Sequence, residues 1–261
     1  CNCPPGFQRV DENKCASRNL YQQYSSLQNS GVGGLKSALP KPRDGFSPQQ
    51  IDLGRYLFFD PVLSKDGSVS CATCHNPNLG FADGRATSIG VSGVEQTRSA
   101  PSLWNVSYLK SFFWDARATT LEAQMEGPLY SPTEMATTKE QLLATLNGID
   151  MYRRLFAEAY PKKKTDRIEL NEIYTAIAAF ESSLISLNSR YDQYAHGYAE
   201  ALTTKEIEGL NVFRSFVARC AECHTPPLFT NQQIAVIGVP EAEGKPFDPG
   251  AEVPYNDPTM K

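Results

Sequence analysis

The chain is predicted to be mainly α, built as two domains of one plan with long loops among the helices and a short cysteine-bearing tail in front. Three observations predict this. A helix-forming stretch runs toward a Cys-x-x-Cys-His pentapeptide twice, at CATCH (Cys71, Cys74, His75) and at CAECH (Cys220, Cys223, His224). Between the two, Ile173, Ile177, Phe180, Leu184 and Leu187 recur at helical spacing and mark a core helix. From Cys71 to about Ser111 the text is rich in Gly, Ser, Asn and Pro, which predicts loops wrapped around something rather than packed helices.

In chain order, residues 1–45 read as a tail and linker, 46–190 as the first domain and 191–261 as the second. Residues 19–45 carry Gly and Pro punctuation and predict a short helix and a linker. SPQQIDLGRYLFFDP then offers Ser47 as N-cap, Pro48 at the first helical position and a Pro stop. Further helices are predicted over Thr119–Glu126, Lys139–Tyr160 and Ile168–Ser186, and a last one over Thr203–Arg219 that delivers the second pentapeptide.

At 261 residues, with 41% hydrophobic and 21% charged residues, the chain is long enough to bury a real core. Its net charge of -4 and pI near 5.5 argue against nucleic-acid binding, which needs a basic face. No apolar run approaches the ~18 residues of a membrane span.

Two cysteines three apart add across the vinyl groups of one haem edge, and the adjoining His places its imidazole on the iron. A lone Cys-x-x-Cys could be a redox dithiol or half a zinc site. The His directly after it, twice in one chain, selects two covalently bound c-type haems, ligated by His75 and His224, and hence two cytochrome c-type domains. Covalent haem attachment belongs outside the cytoplasm, so the expected location is the periplasm.

The other face of each iron is the open question. The remaining His and Met residues are His196, Met125, Met135, Met151 and Met260. His196, in YAHGY, reads as exposed and without a ligand role, and Met151 as core. The stretch Asn76–Asn105 has neither His nor Met, so at least the first iron is expected to stand open to a small molecule such as peroxide.

The tail, CNCPPGFQRVDENKC, resembles the last loop of an EGF-like module, which implies a Cys3–Cys15 bridge. Cys1 is then left over. Three readings stay open for it: a lipid anchor left by lipoprotein processing, another disulfide pairing, or a boundary without chemical meaning.

CATCHNPNLGFADGR, TRSAPSLWNVSYLKSFFWDAR, LEAQMEGPLYSPTEM, AAFESSLISLNSRYDQY and CAECH, in that order, resemble the di-haem cytochrome c peroxidase and MauG superfamily over about residues 46–250. The resemblance implies two helical cytochrome domains, peroxide reacting at the first haem and the second supplying electrons. By its motifs, His75 is the proximal ligand of the reactive haem and Trp114 passes electrons or shares oxidising equivalents. Glu134 is the distal carboxylate that shuttles the peroxide proton, and Gln124 the distal amide. Read from the residues alone, Trp114 is equally a core aromatic, and Glu134, three after Ser131, equally a capping-box residue.

Departures from the pattern refine this. Reductively activated peroxidases carry a His in the loop that here reads GRATSIGVSGVEQTRSAP, and this loop has none. Pro128 near the distal carboxylate is as in MauG-like proteins. Both favour the MauG-like branch, which uses peroxide to build a high-valent di-haem state that oxidises residues of a partner protein. The alternatives are a scavenging peroxidase fed by a small redox protein and a di-haem electron carrier. Ser99 stands where relatives have an Asn that helps hold calcium, which weakens the expectation of a calcium ion. The family continues past its second motif with a segment supplying the second haem's far ligand, Met or Tyr. A tail beyond Lys261 is therefore expected, with Met260 and Tyr255 as weak substitutes.

Overall fold

The structure, a computed structural model, describes residues 7–11, 14–17, 41–238, 244 and 247–260. Cys1 and Cys3, and with them the expected bridge and the three readings of Cys1, lie outside the described residues, as does the helix expected within 19–40. The described residues are mainly helical, and their one strand pair is β1 (Phe7–Asp11) antiparallel to β2 (Lys14–Ser17). The chain divides into two compact units, residues 43–185 with 234–261 and residues 186–233 with 1–42. Sequence reading ran the second domain on to Lys261; in the structure residues 234–261 cluster with the earlier unit. The physical tie is Arg98, whose Nε donates to Asp248 Oδ2 at 2.6 Å and whose Nη2 donates to Gly250 O at 3.2 Å.

The larger unit is organised by α1 (Pro48–Phe59) and α6 (Leu170–Ser183). Ser47 and Gln50 form a reciprocal capping box, each side chain accepting the other's backbone N–H, and Pro48 starts α1 at no hydrogen-bonding cost. Leu53, Leu57 and Phe58 of α1 and Ile173, Ala176, Ile177 and Phe180 of α6 are buried in the unit's core. Gly54 allows the two helices to touch: a Cβ there would lie 1.8 Å from the Ala176 carbonyl oxygen, which as backbone cannot step aside. α2 is the single turn Cys71–Cys74, and α3 (Leu121–Tyr130) carries Pro128 in its interior.

The helix expected over Lys139–Tyr160 is two, α4 (Lys139–Gly148) and α5 (Asp150–Ala159), because Ile149 is extended. Asn147 fixes the break: its amide donates to Leu143 O and accepts from Ile168 N, tying the turn to the strand-like entry of α6. Met151, expected in the core, faces outward from α5, whose buried side is Tyr152, Phe156 and Ala159. Tyr152 donates its hydroxyl hydrogen to Asp60 Oδ2 at 2.6 Å, satisfying a fully buried phenol. A short helix, α10 (Glu252–Tyr255), closes the unit's C-terminal segment.

The smaller unit holds α7 (Arg190–Ala195), α8 (Thr204–Arg214) and α9 (Cys220–Cys223). α8 stops five residues short of the expected end because Ser215 is extended and its hydroxyl accepts from Ala218 N, making a separate turn before Cys220. His196 is only 5% exposed, not exposed as expected, since it caps α7 with its Nδ1–H donating to Asp192 O at 2.7 Å. Among the described residues no helix is long and apolar enough to cross a membrane.

Candidate active site

Each pentapeptide makes one helical turn and places its His at the turn's end. The His75 and His224 backbone N–H groups return to Cys71 O and Cys220 O, both at 2.9 Å. In each case the imidazole Nδ1–H then donates to a phenylalanine carbonyl, His75 to Phe81 at 2.8 Å and His224 to Phe229 at 3.3 Å. That bond fixes the tautomer and leaves Nε2 as the lone-pair nitrogen turned away, which is what an axial haem ligand needs. Phe81 and Phe229 both adopt the left-handed backbone, with φ of 58° and 56°. Sequence reading missed the two phenylalanines, though a signal was present: His-x-Pro-x-Leu followed by Phe, one residue sooner in the second copy, stands after both motifs.

The cysteines fit haem attachment. Cys71, Cys74, Cys220 and Cys223 carry free thiols. Burial, with Glu181 nearby, pushes the Cys71 thiol up to about 12, the opposite of the lowered thiol of a redox dithiol. A cavity of about 490 Å³ opens beside Cys74, lined among others by Val69, Thr73, Asp83, Arg85, Ile89 and Gly90, and lies in the size range of cofactor sites. Cys71, Cys74 and His75 are therefore the residues that would hold the first haem, and Cys220, Cys223 and His224 the second.

Glu134 sits in the turn after α3, with Met135 N–H bonded to Pro128 O at 3.0 Å and Glu134 N–H to Ser131 O at 3.1 Å. Gln124 and Pro128 are one helical turn apart on α3 and share its face. Pro128 has no N–H to return to the Gln124 carbonyl, so the helix is weakened at that turn. Gln124 thus lies in the N-terminal half of α3, Pro128 near its C-terminal end, and Glu134 in the turn that follows and is bonded back to Pro128 through Met135 N–H. Burial raises the Glu134 carboxyl above its ordinary range, while the Ser131 hydroxyl and the Arg117 charge pull it back. The capping role does not occur: the next helix, α4, is capped by Thr138, which accepts from Gln141 N.

Trp114 is 61% exposed and donates its indole N–H to Ser99 O at 2.9 Å, so it is not a core aromatic in this unit. Its neighbour Asp115 is clamped by Arg98 and Arg117, both at 2.8 Å. Burial pulls Asp115 upward, but the hydrogen bonds from Arg117 and Arg98 outweigh it and hold the carboxyl below its usual range. Ser99 gives its carbonyl to Trp114. Among the described residues no group of three or more His, Cys, Asp or Glu is placed to hold a metal ion.

Glu181, on α6, was not singled out from sequence, where a mid-helix Glu carries no signal. It is 6% exposed, and its Oε2 finds no hydrogen-bond partner among the described residues. Burial, with the Glu122 charge adding and Arg43 opposing, pushes it up to about 8. The native state then keeps a proton that the unfolded chain loses above pH ~4.5, so Glu181 lowers stability as pH rises toward 8, by about 1.4 kcal/mol per pH unit at its steepest. Glu181→Gln is expected to match the parent in denaturant midpoint at pH 4 and to exceed it increasingly up to pH 8. Parallel profiles would show that Glu181 ionises freely.

A family model described as di-haem cytochrome c peroxidase matches residues 48–200. The cytochrome c551 peroxidase of Nitrosomonas europaea is 35% identical over 211 residues, covering 81% of this chain and 60% of that protein. The methylamine utilization protein MauG of Methylorubrum extorquens is 35% identical over 203 residues, covering 77% and 57%. The chain thus spans about 60% of the length of these relatives. Among solved structures, a MauG-like protein associated with microbial copper homeostasis superimposes with a TM-score of 0.68 at 33% identity, covering 80% of this chain and 63% of that one. The di-haem peroxidase BthA of Burkholderia thailandensis gives 0.73 at 28% identity, covering 86% and 63%.

Proposed function

The chain belongs to the di-haem cytochrome c peroxidase family, and from that premise we propose that it is a peroxide-dependent oxidoreductase of the MauG-like kind, acting on a partner protein. The observation that carries this reading is the turn over residues 88–96. It packs on the Glu134 backbone, and it contains neither His nor Met to close an iron.

Cys71, Cys74 and His75 would hold the first haem, which would supply a redox-active iron for the reaction with peroxide. The chain's own residues do the rest. Glu134 takes the proton from one peroxide oxygen and returns it to the other as the O–O bond breaks, and burial, which raises its pKa, makes it a stronger base for that transfer than an exposed carboxylate. Gln124 and Pro128 shape the adjoining wall, the amide hydrogen-bonding the peroxide oxygen and the proline offering an apolar, non-ligating surface. Phe81 holds His75 in the ligating tautomer. Trp114, fixed by the Ser99 carbonyl, passes electrons from the partner's oxidation. A bound calcium ion is a further proposal. The location proposed is the periplasm, with a lipid anchor at Cys1 as a further proposal.

The names of several relatives favour a second reading, a peroxidase that removes hydrogen peroxide with electrons from a small redox protein. Turnover separates the two. The first reading expects rapid single-turnover reaction with peroxide but little sustained consumption with reduced small cytochromes or copper proteins. Sustained consumption would move the second reading ahead.

A further inference from the structure

We propose that the turn over residues 88–96 is a latch that positions Glu134, with Gln96 and Thr133 as its bolt and Gly90 as its seat. The inference rests on the reading above, that Glu134 moves the peroxide proton, and adds the residues that hold it. Gln96 and Thr133 are far apart in sequence yet bonded twice: Gln96 Nε2 donates to Thr133 O at 2.6 Å, and the Thr133 hydroxyl donates to Gln96 Oε1 at 3.0 Å. One residue further on, Val91 N–H donates to the Glu134 carbonyl at 2.8 Å. The bonds join two loops, each closed on itself, by Gly90 N to Val94 O and Gln96 N to Ser88 O in the first and by Glu134 N to Ser131 O in the second.

Gly90 makes the approach possible. Its φ of -95° is open to any residue, so its glycine is not there for backbone freedom. A Cβ would meet Thr133 O at 2.0 Å and Glu134 Cα at 2.7 Å, both backbone atoms. Gly90 also lines the cavity beside Cys74. The residue therefore touches both that cavity and the backbone of Thr133 and Glu134. A carboxyl that must meet a peroxide oxygen within hydrogen-bond reach gains from such a mount, because displacement of about 1 Å can cost on the order of 100-fold in rate.

The test uses the purified di-haem protein. Gln96→Ala and Thr133→Val are expected to slow the stopped-flow reaction with peroxide by roughly tenfold or more, and Thr133→Ser, which keeps the hydroxyl, to hold the parent rate. In a Glu134→Gln background, Gln96→Ala is expected to add no further loss, since the latch acts through the carboxyl. Hydrogen exchange, a readout apart from activity, is expected to quicken at Val91 in Gln96→Ala. A parent-like rate in Gln96→Ala, additive losses, or unchanged exchange would overturn the latch while leaving Glu134's role intact. An unchanged rate in Glu134→Gln alone would overturn both.

Discussion

Replacing Glu134 by Gln is expected to slow the reaction with hydrogen peroxide by roughly 100-fold or more, the usual contribution of a positioned acid–base group. Gln keeps the side chain's length and can still meet the Ser131 hydroxyl that faces Glu134, but it cannot accept a proton and give it back. The backbone supports of the turn, from Val91, Ser131 and Pro128, are untouched. Stopped-flow absorbance of the haem bands reads the rate directly, and the resting spectrum is expected to match the parent's. An unchanged rate would remove Glu134 from the mechanism.

The second large effect is all-or-none. Changing Cys71 and Cys74 together to Ala is expected to halve the covalent haem, from two per chain to one, and to abolish the peroxide reaction. The thiols of Cys71 and Cys74 are the groups of α2 that would bond a haem, and the cavity beside Cys74 has no other cysteine among its lining residues. Haem content per chain by the pyridine haemochrome assay, with haem staining of the denatured protein, decides it. Two covalent haems in the variant would contradict the assignment of CATCH.

Most helix starts, and the two pentapeptides as candidate haem-binding motifs, were legible in the sequence because both rest on local rules. The Ser47–Pro48–Gln50 start of α1 and the stripe on α6 follow from capping and 3.6 periodicity; the structure forms the cap and the stripe through Phe180, while Leu184 and Leu187 lie beyond the end of α6, still buried. His75 and His224 follow from bond chemistry over five residues. What was not legible depends on atoms far apart in the chain. The break at Ile149 comes from Asn147 reaching Ile168, and the burial of His196 from its bond to Asp192 O at the end of α7. Glu181 looks like any helical Glu until its surroundings are known. Gln96 and Thr133 sit in stretches that read only as polar loop, and Gly90 reads as a turn glycine though its role is close approach.

On the reading proposed above, the first haem is open in the oxidised protein, with Glu134 as its acid–base group. Electron paramagnetic resonance of the fully oxidised di-haem protein, without reductant, tests this most directly. One high-spin and one low-spin ferric signal are expected. Two low-spin signals would contradict it, because some group would then close the first iron, and an electron carrier or a reductively activated peroxidase would replace the present reading.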